Sequence, residues 1–361
     1  MRIVVLGLTL SSSWGNGHAT TYRALIAALA ARGHDILFLE RDKPWYAAAR
    51  DLVDPSYCRL AFYSELAGLE AHRAAIATAD LVIVGSYVPD GIVVGDWAIE
   101  AARGVVAFYD IDTPVTLARL EAGGLDYLSP ALIPRYDLYL SFTGGPTLDV
   151  LERRWRARRA RAFYCAVDPA LYHPVEATTR WDLGYLGTFS DDRQPTLERL
   201  LLTPARTRPD LRFVVAGPQY PDTIDWPANV ERIEHVGPAD HAEFYSSLRW
   251  TLNVTRADMR AAGHSPSVRL FEAAACGCPI VSDRWAGIET VLRPGVELTL
   301  ADTANEALAA LGASDRAART QADAARRRVL SAHTAAHRAA ELERHVAEAE
   351  ETSRPARARR T

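Results

Sequence analysis

The residues with the most chemical character fall in a few short stretches. In "GNGH", His18 follows Gly15, Asn16 and Gly17 where a strand hands over to a helix. A histidine titrates near ~6.5, so His18 in such a loop is suited to take a proton from a hydroxyl acceptor. Gly15 and Gly17 have no Cβ and let a ligand approach the main chain. Amides at a helix start favour a negative or partly negative oxygen. The competing reading is a histidine that only caps the helix and bonds a carbonyl. The second stretch is "GHSPSVRLFEAAACGCPIVSD" (263–283). Here Ser265 is placed to cap a helix, with Pro266 at its first position. A helix start carrying Ser265, Ser267 and the amide of Val268 suits a diphosphate. Arg269 adds charge for phosphate, or pairs with Glu272 three residues on. Glu272 can accept two hydrogen bonds from a ribose diol, and it sits in an otherwise apolar run where a bare carboxylate is costly.

A third stretch, "YDIDTP" (109–114), puts Asp110 and Asp112 after a strand. Both read as acceptor ligands, with Asp112 a base or a partner to His18. Asp112 as a simple helix cap competes on equal terms. Tyr87, in the loop "SYVPDG", is a further candidate for the acceptor pocket. A dinucleotide turn at "GNGHAT" needs a third glycine where Thr20 stands, and its glycines lie several residues beyond the strand. Glu40, at the end of the second strand, is the one feature that keeps a dinucleotide enzyme open.

These residues need a frame, and the rest of the chain supplies it. At 361 residues with 48% apolar content, the chain has room for two domains of about 150 to 180 residues each. A formal charge of −4 argues against general nucleic-acid binding. Four cysteines without a CxxC pair give neither a disulfide framework nor a zinc site. With no signal-peptide pattern and no apolar run of ~18 to 20 residues, a cytoplasmic protein is expected. Short β-rich runs at 3–8, 35–40, 81–87, 105–110 and 138–143 alternate with helical stretches. The rhythm restarts at 183–189, 212–217, 230–237, 250–256 and 279–283. The expected fold class is therefore α/β, with two successive doubly wound, Rossmann-like domains whose ligands gather at strand carboxyl ends. The cleft between the domains is the expected site. The expected bounds are 1–165, 166–343 and a partly disordered tail over 344–361. The arginine-dense run 152–163 reads first as a solvated helix end, and second as a patch for weak contact with an anionic lipid surface.

Taken together, the motifs resemble those of GT-B glycosyltransferases. "FEAAACGCPIVSD" with "AGIETVL" is similar to their C-terminal signature. "RALIAALAARGHDI", "CAVDPALYHP", "LGYLGTFSDDRQP", "FVVAGPQYP" and "HVGPADHAEFYSSLRWTLNVTR" resemble other parts of the family pattern. The final third looks closest to the CgeB-like group 1 transferases. The resemblance implies a hexosyltransferase that moves a sugar from a nucleotide-diphosphate sugar to a small-molecule, glycan or lipid-linked acceptor, without metal or other cofactor. The second domain would hold the donor and the first the acceptor. The resemblance also implies that the base rests near His235, Val236 and Gly237, and that Gly187, Thr188, Arg193 and Gly217 border the donor. One departure is His264, which stands where retaining members carry the first acid of an E-x7-E pair. His264 then contacts the transferred sugar or phosphate, or fills a loop, and either stereochemical outcome is open. A non-catalytic nucleotide-sugar or glycan binder is the main rival, with a nucleotide-sugar epimerase and a dinucleotide oxidoreductase behind it.

Overall fold

The computed structural model describes residues 1–14 and 17–357, with side chains through Glu351. Gly15 and Asn16 of the histidine loop lie outside the described residues. The chain divides into two compact units, Met1–Cys165 together with the segment from Ala335, and Ala166–Thr334.

The first unit is built on strands β1 (Arg2–Gly7), β2 (Asp35–Arg41), β3 (Arg59–Tyr63), β4 (Leu81–Gly85), β5 (Val105–Asp110), β6 (Leu138–Ser141) and β7 (Ala160–Ala162). They form one parallel sheet in the order β3-β2-β1-β4-β5-β6-β7. β4 and β5 are buried along their whole length, and β1 and β2 nearly so. Helices cover both faces of a doubly wound parallel sheet, which is why its central strands read as continuous Val, Leu and Ile runs. The second unit carries β8 (Leu183–Leu186), β9 (Phe213–Ala216), β10 (Val230–Ile233), β11 (Thr251–Asn253), β12 (Ile280–Ser282) and β13 (Thr299–Leu300). Their order is β10-β9-β8-β11-β12-β13, again all parallel. Both sheets reverse their winding beside the first strand, between β1 and β4 and between β8 and β11. Such switch points are where open α/β sheets bind ligands.

The strands not expected from sequence are β3, β7 and β13, and each lies at a sheet edge. Edge strands are short and half exposed, so they lack the apolar run that marks a central strand. The C-terminal end also departs from expectation. The second unit ends at Thr334 rather than at 343, and residues 344–357 of the expected tail continue the helix Ala335–Arg357, which belongs to the first unit. Its buried residues Ala335, Ala339, Leu342, Val346 and Ala349 recur every three or four positions, so one stripe packs inward despite the charged composition. Glu343 joins this helix to Arg32 and His34, with Arg32 Nη2 at 2.6 Å and His34 Nε2 at 2.8 Å. Among the described residues no helix is long and apolar enough to cross a membrane. In the arginine-dense run, Arg154 faces Glu121, Arg158 faces Asp137 and Arg161 faces Glu348, so carboxylates offset much of its charge.

Candidate functional site

The second unit gathers a polar arrangement at its switch point. The helix Val268–Ala275 starts two residues later than the sequence suggested, because Ser267 rather than Ser265 is the cap. The Ser267 hydroxyl accepts from the Arg269 amide at 3.3 Å, while Ser265 is fully buried before the helix begins. The amides of Ser267 and Val268 make no hydrogen bond among the described residues, as expected for the first turn of a helix.

Arg269 does not pair with Glu272. Its Nε donates to the carbonyl of Leu186 at the end of β8 (2.6 Å), and its Nη1 to Asn253 Oδ1 at the end of β11 (3.1 Å). The guanidinium thus ties together the two strands that flank the switch point, lying over the Tyr185 ring at 4.7 Å. Arg269 is only 7% exposed, and no carboxylate of the described residues lies within ion-pair distance of it. Nη2 makes no hydrogen bond among the described residues, and it lies 2.7 Å from where a side chain on Gly187 would begin. Gly187 is glycine because the arginine needs that space.

The turn after β8 is clamped through its carbonyls. Arg269 holds Leu186, the Tyr220 hydroxyl holds Gly187 (3.1 Å), and Arg193 Nη2 holds Thr188 (2.7 Å). Arg193 is therefore an anchor of the turn, not a solvated loop arginine. The Thr188 amide is left without a partner among the described residues. Gly217, at φ +141°, is glycine because the backbone of Gly187 rests on it.

Glu272, 5% exposed, faces away from Arg269 into an aromatic cage. Tyr245 donates to its Oε2 at 3.4 Å, and His241 Nδ1 lies 3.9 Å away. The Tyr172 hydroxyl lies 3.2 Å from His241 Nδ1, and His241 Nε2 lies 3.3 Å from the Val236 carbonyl. An imidazole that donates to Val236 through Nε2 accepts from Tyr172 through Nδ1. Burial, aided by the charge of Glu272, pushes both the Tyr172 and Tyr245 phenols well above their usual value, so they stay donors. Val236 and Gly237 are half-buried beside this cage and His235 is exposed. His264, at φ 47°, hangs its amide on the Ala286 carbonyl and lays its ring on Gly287, so it fills a loop that Gly287 leaves room for.

Deeper at the same strand ends, Asp283 is fully buried. Its Oδ1 accepts from the Thr255 amide (3.1 Å) and hydroxyl (2.8 Å), and burial pushes its carboxyl up to about 6. Tyr172, Tyr220, His241, Tyr245, Asn253, Thr255 and Asp283 were not among the sequence candidates. All seven stand in stretches quoted above for the family resemblance, but nothing local in those stretches marked them, because their neighbours are set by the sheet order.

The first unit has a second cluster at its own switch point. Gly17 caps the helix His18–Ala31, so His18 occupies the first helical position rather than the cap. It is 7% exposed, and its ring meets Tyr87 edge-on at 5.3 Å between centroids. Burial pushes the imidazole below its usual value while the charge of Asp112 pulls it back, which leaves His18 neutral at pH 7. Tyr87 adopts φ 62°, a strained conformation for a tyrosine that turns the chain after β4. Asp112 precedes the helix Thr113–Ala122, but its side chain makes no cap bond and is half-buried. Gly17 has a negative φ and no atom of the described residues near the position of a Cβ, so nothing among them requires glycine there.

Asp110 corrects the sequence reading. It is fully buried, with Tyr139 donating to Oδ2 (2.6 Å) and Thr116 to Oδ1 (2.7 Å), and it has no surface to offer an acceptor. Burial pushes its carboxyl up to about 6. Glu40 is likewise fully buried, accepting from Thr9 Oγ1, the amides of Leu10 and Ser11, and Ser11 Oγ. It pins the loop before His18 and is not free to bind a ribose, which removes the basis for a dinucleotide enzyme. Among the described residues no three His, Cys, Asp or Glu side chains gather as metal ligands.

With this geometry in place, comparison with known proteins is informative. Residues 193–344 match the family described as glycosyl transferase-like. No curated protein matches the sequence. Among solved structures, the chain is similar to sucrose-phosphate synthase from Thermosynechococcus elongatus, at 16% identity and a TM-score of 0.66 over 99% of each chain. It is similar to Anabaena HepE in complex with UDP and glucose, at 14% identity and a TM-score of 0.71 over 96% of this chain and 99% of that one. An alpha-glucosyltransferase in complex with UDP-glucose and DNA containing an abasic site gives 14% identity and a TM-score of 0.71, over 96% and 99%. The chain therefore has the GT-B fold of two Rossmann-like domains, and carries a glycosyl transferase-like domain over residues 193–344.

Proposed function

We propose that the protein is a metal-independent glycosyltransferase, CgeB-like, that moves a hexosyl group from a nucleoside-diphosphate sugar to a hydroxyl acceptor. The observation that carries this reading is Arg269: a nearly buried guanidinium with no carboxylate partner at a switch point. An arginine stays charged at any relevant pH, and burying a cation without a counter-charge is costly. A diphosphate supplies that counter-charge. It would be held by Arg269 Nη2, the Thr188 amide and the first-turn amides of Ser267 and Val268, with the ribose diol on Glu272 and the base beside Val236 and Gly237. On the acceptor side, neutral His18 would take the hydroxyl proton, and Asp112 would stabilise the imidazolium that forms. The acceptor oxygen then bonds to the anomeric carbon, the bond from that carbon to the diphosphate breaks, and Arg269 stabilises the departing negative charge. UDP is the first nucleotide to test, since HepE was seen with UDP and glucose and the alpha-glucosyltransferase with UDP-glucose. The test is incubation of the protein with UDP-glucose, GDP-mannose and dTDP-glucose, together with a panel of glycan and lipid-linked hydroxyl acceptors. The reading expects acceptor-dependent release of one nucleoside diphosphate. Saturable binding of a nucleotide sugar with no release against any acceptor would favour the non-catalytic binder.

A further inference from the structure

Arg269 is useful to a diphosphate only if its guanidinium is turned the right way, and the chain supplies a device for that. Asn253 Oδ1 accepts from Arg269 Nη1, while Asn253 Nδ2 donates to Ser282 Oγ (2.9 Å) and Thr255 Oγ1 (3.3 Å). Both hydroxyls have already spent their single proton on Asp283. Thr255 donates to its Oδ1 at 2.8 Å, and Ser282 to its main-chain carbonyl at 3.0 Å. Each hydroxyl can then only accept from Asn253. The amide nitrogen must face them, and the amide oxygen must face Arg269. The direction of every bond is set from the acid outward, through Thr255 and Asn253, to the guanidinium. All four residues of this relay, Asn253, Thr255, Ser282 and Asp283, are buried at 3% exposure or less, so water does not compete.

We propose that Asn253 is a positioning residue that, oriented by Thr255, Ser282 and Asp283, locks Arg269 so that its free Nη2 meets the donor diphosphate. This rests on the donor-site reading above. A carboxamide is the fitting group because it accepts on one side and donates twice on the other, and asparagine carries it on the shorter side chain. An aspartate would lose both donations and would neutralise the cation that the ligand needs.

The experiment compares the affinities of UDP and uridine by calorimetric titration for the protein, Asn253→Ala and Thr255→Val, replaced by GDP and guanosine if those bind the unaltered protein more tightly. A hydrogen bond that orients a charged group is worth roughly 10-fold in affinity or more. The preference for UDP over uridine should therefore fall about 10-fold in Asn253→Ala, with uridine binding unchanged. Thr255→Val keeps the volume and removes only the hydroxyl link, so its preference should fall by a smaller factor. If Asn253→Ala fails to melt cooperatively, Thr255→Val carries the test. An unchanged preference in the folded variants overturns the positioning role alone. A parallel loss of UDP and uridine binding overturns it too, because that is what mere loosening of the fold produces. An unaltered protein with no preference for a diphosphate over its nucleoside overturns the donor-site reading, and this inference with it.

Discussion

Asp110 at the end of β5 and Arg269 beside β8 and β11 are both buried charged groups at the carboxyl ends of central strands, and they are treated in opposite ways. Asp110 receives Tyr139 and Thr116, and its carboxyl is pushed up to about 6. The fold satisfies that group fully and leaves nothing over. Arg269 donates to three neutral oxygens, those of Leu186, Asn253 and, at 3.4 Å, Ser267, keeps one nitrogen without a partner among the described residues, and has no carboxylate there to balance it. A charged group whose needs are met inside the chain supports the fold. One whose charge is left unbalanced implies a partner from outside. The same contrast separates Glu40, which pins a loop with four accepted hydrogen bonds, from Glu272, which has a long bond to Tyr245 and a cage around it.

The contrast can be broken or sharpened by mutation. The largest effect is expected at His18. His18→Ala should lower turnover by about 100-fold to 10,000-fold, the usual range for a lost general base, while donor affinity stays put. Steady-state kinetics beside a UDP titration reads both, and unchanged turnover removes the base assignment. Next comes Glu272→Gln, which keeps volume and loses charge. UDP affinity should fall by about 10-fold or more, and affinity for 2′-deoxy-UDP by less, since one of its two hydroxyls is gone. Equal losses for the two nucleotides would place the ribose elsewhere.

Asp110→Asn should do the reverse, leaving nucleotide binding alone and costing about 1–3 kcal/mol of stability, because an amide cannot accept on both sides. The pH dependence of that cost has a defined sign. Asp110 holds its proton more tightly in the folded chain than in the unfolded one. Its contribution is therefore full at low pH and declines as pH rises from the ordinary aspartate range, about 3.9, towards 6. Urea unfolding of both proteins between those limits should show the stability gap narrowing as pH rises. A gap that widens would mean the carboxylate is better satisfied than its burial suggests. The smallest effect is in the pH profile of the intact protein. Burial lowers the His18 imidazole, so the acid limb of kcat/KM should lie below pH 6.5, and His18→Ala should abolish it. An acid limb above pH 6.5 would assign it to another group.

How much of this was legible in the sequence follows from what each feature depends on. Central strands and the capped helices announce themselves through local composition, and the glycine–histidine loop and the "RLFEAAACG" helix were found that way. Edge strands lack that signal. The helix Ala335–Arg357 carried one, an apolar residue every third or fourth position, but its charged surroundings argued for fraying. Asp110 and Glu272 look alike in sequence, each a carboxylate in an apolar run. Only the arrival of Tyr139 from β6, beside Thr116, separates the satisfied acid from the one left with a single long bond to Tyr245. Asn253 ends β11 and Arg269 stands 16 residues on, in the helix Val268–Ala275, and its guanidinium reaches Leu186 as well only because β8 lies beside β11 in the sheet. Contacts made by strand order leave no local trace.

The most direct test of the central claim is titration of UDP, GDP, ADP and dTDP into the protein and into Arg269→Met. Removing an unbalanced buried cation offsets part of the hydrogen bonding that is lost, so the melting temperature should change little. The account predicts that one diphosphate binds saturably to the protein and about 100-fold more weakly to the variant, the loss expected for about two charge-assisted hydrogen bonds. Equal affinity of the two proteins, or binding of none of the four, would contradict it.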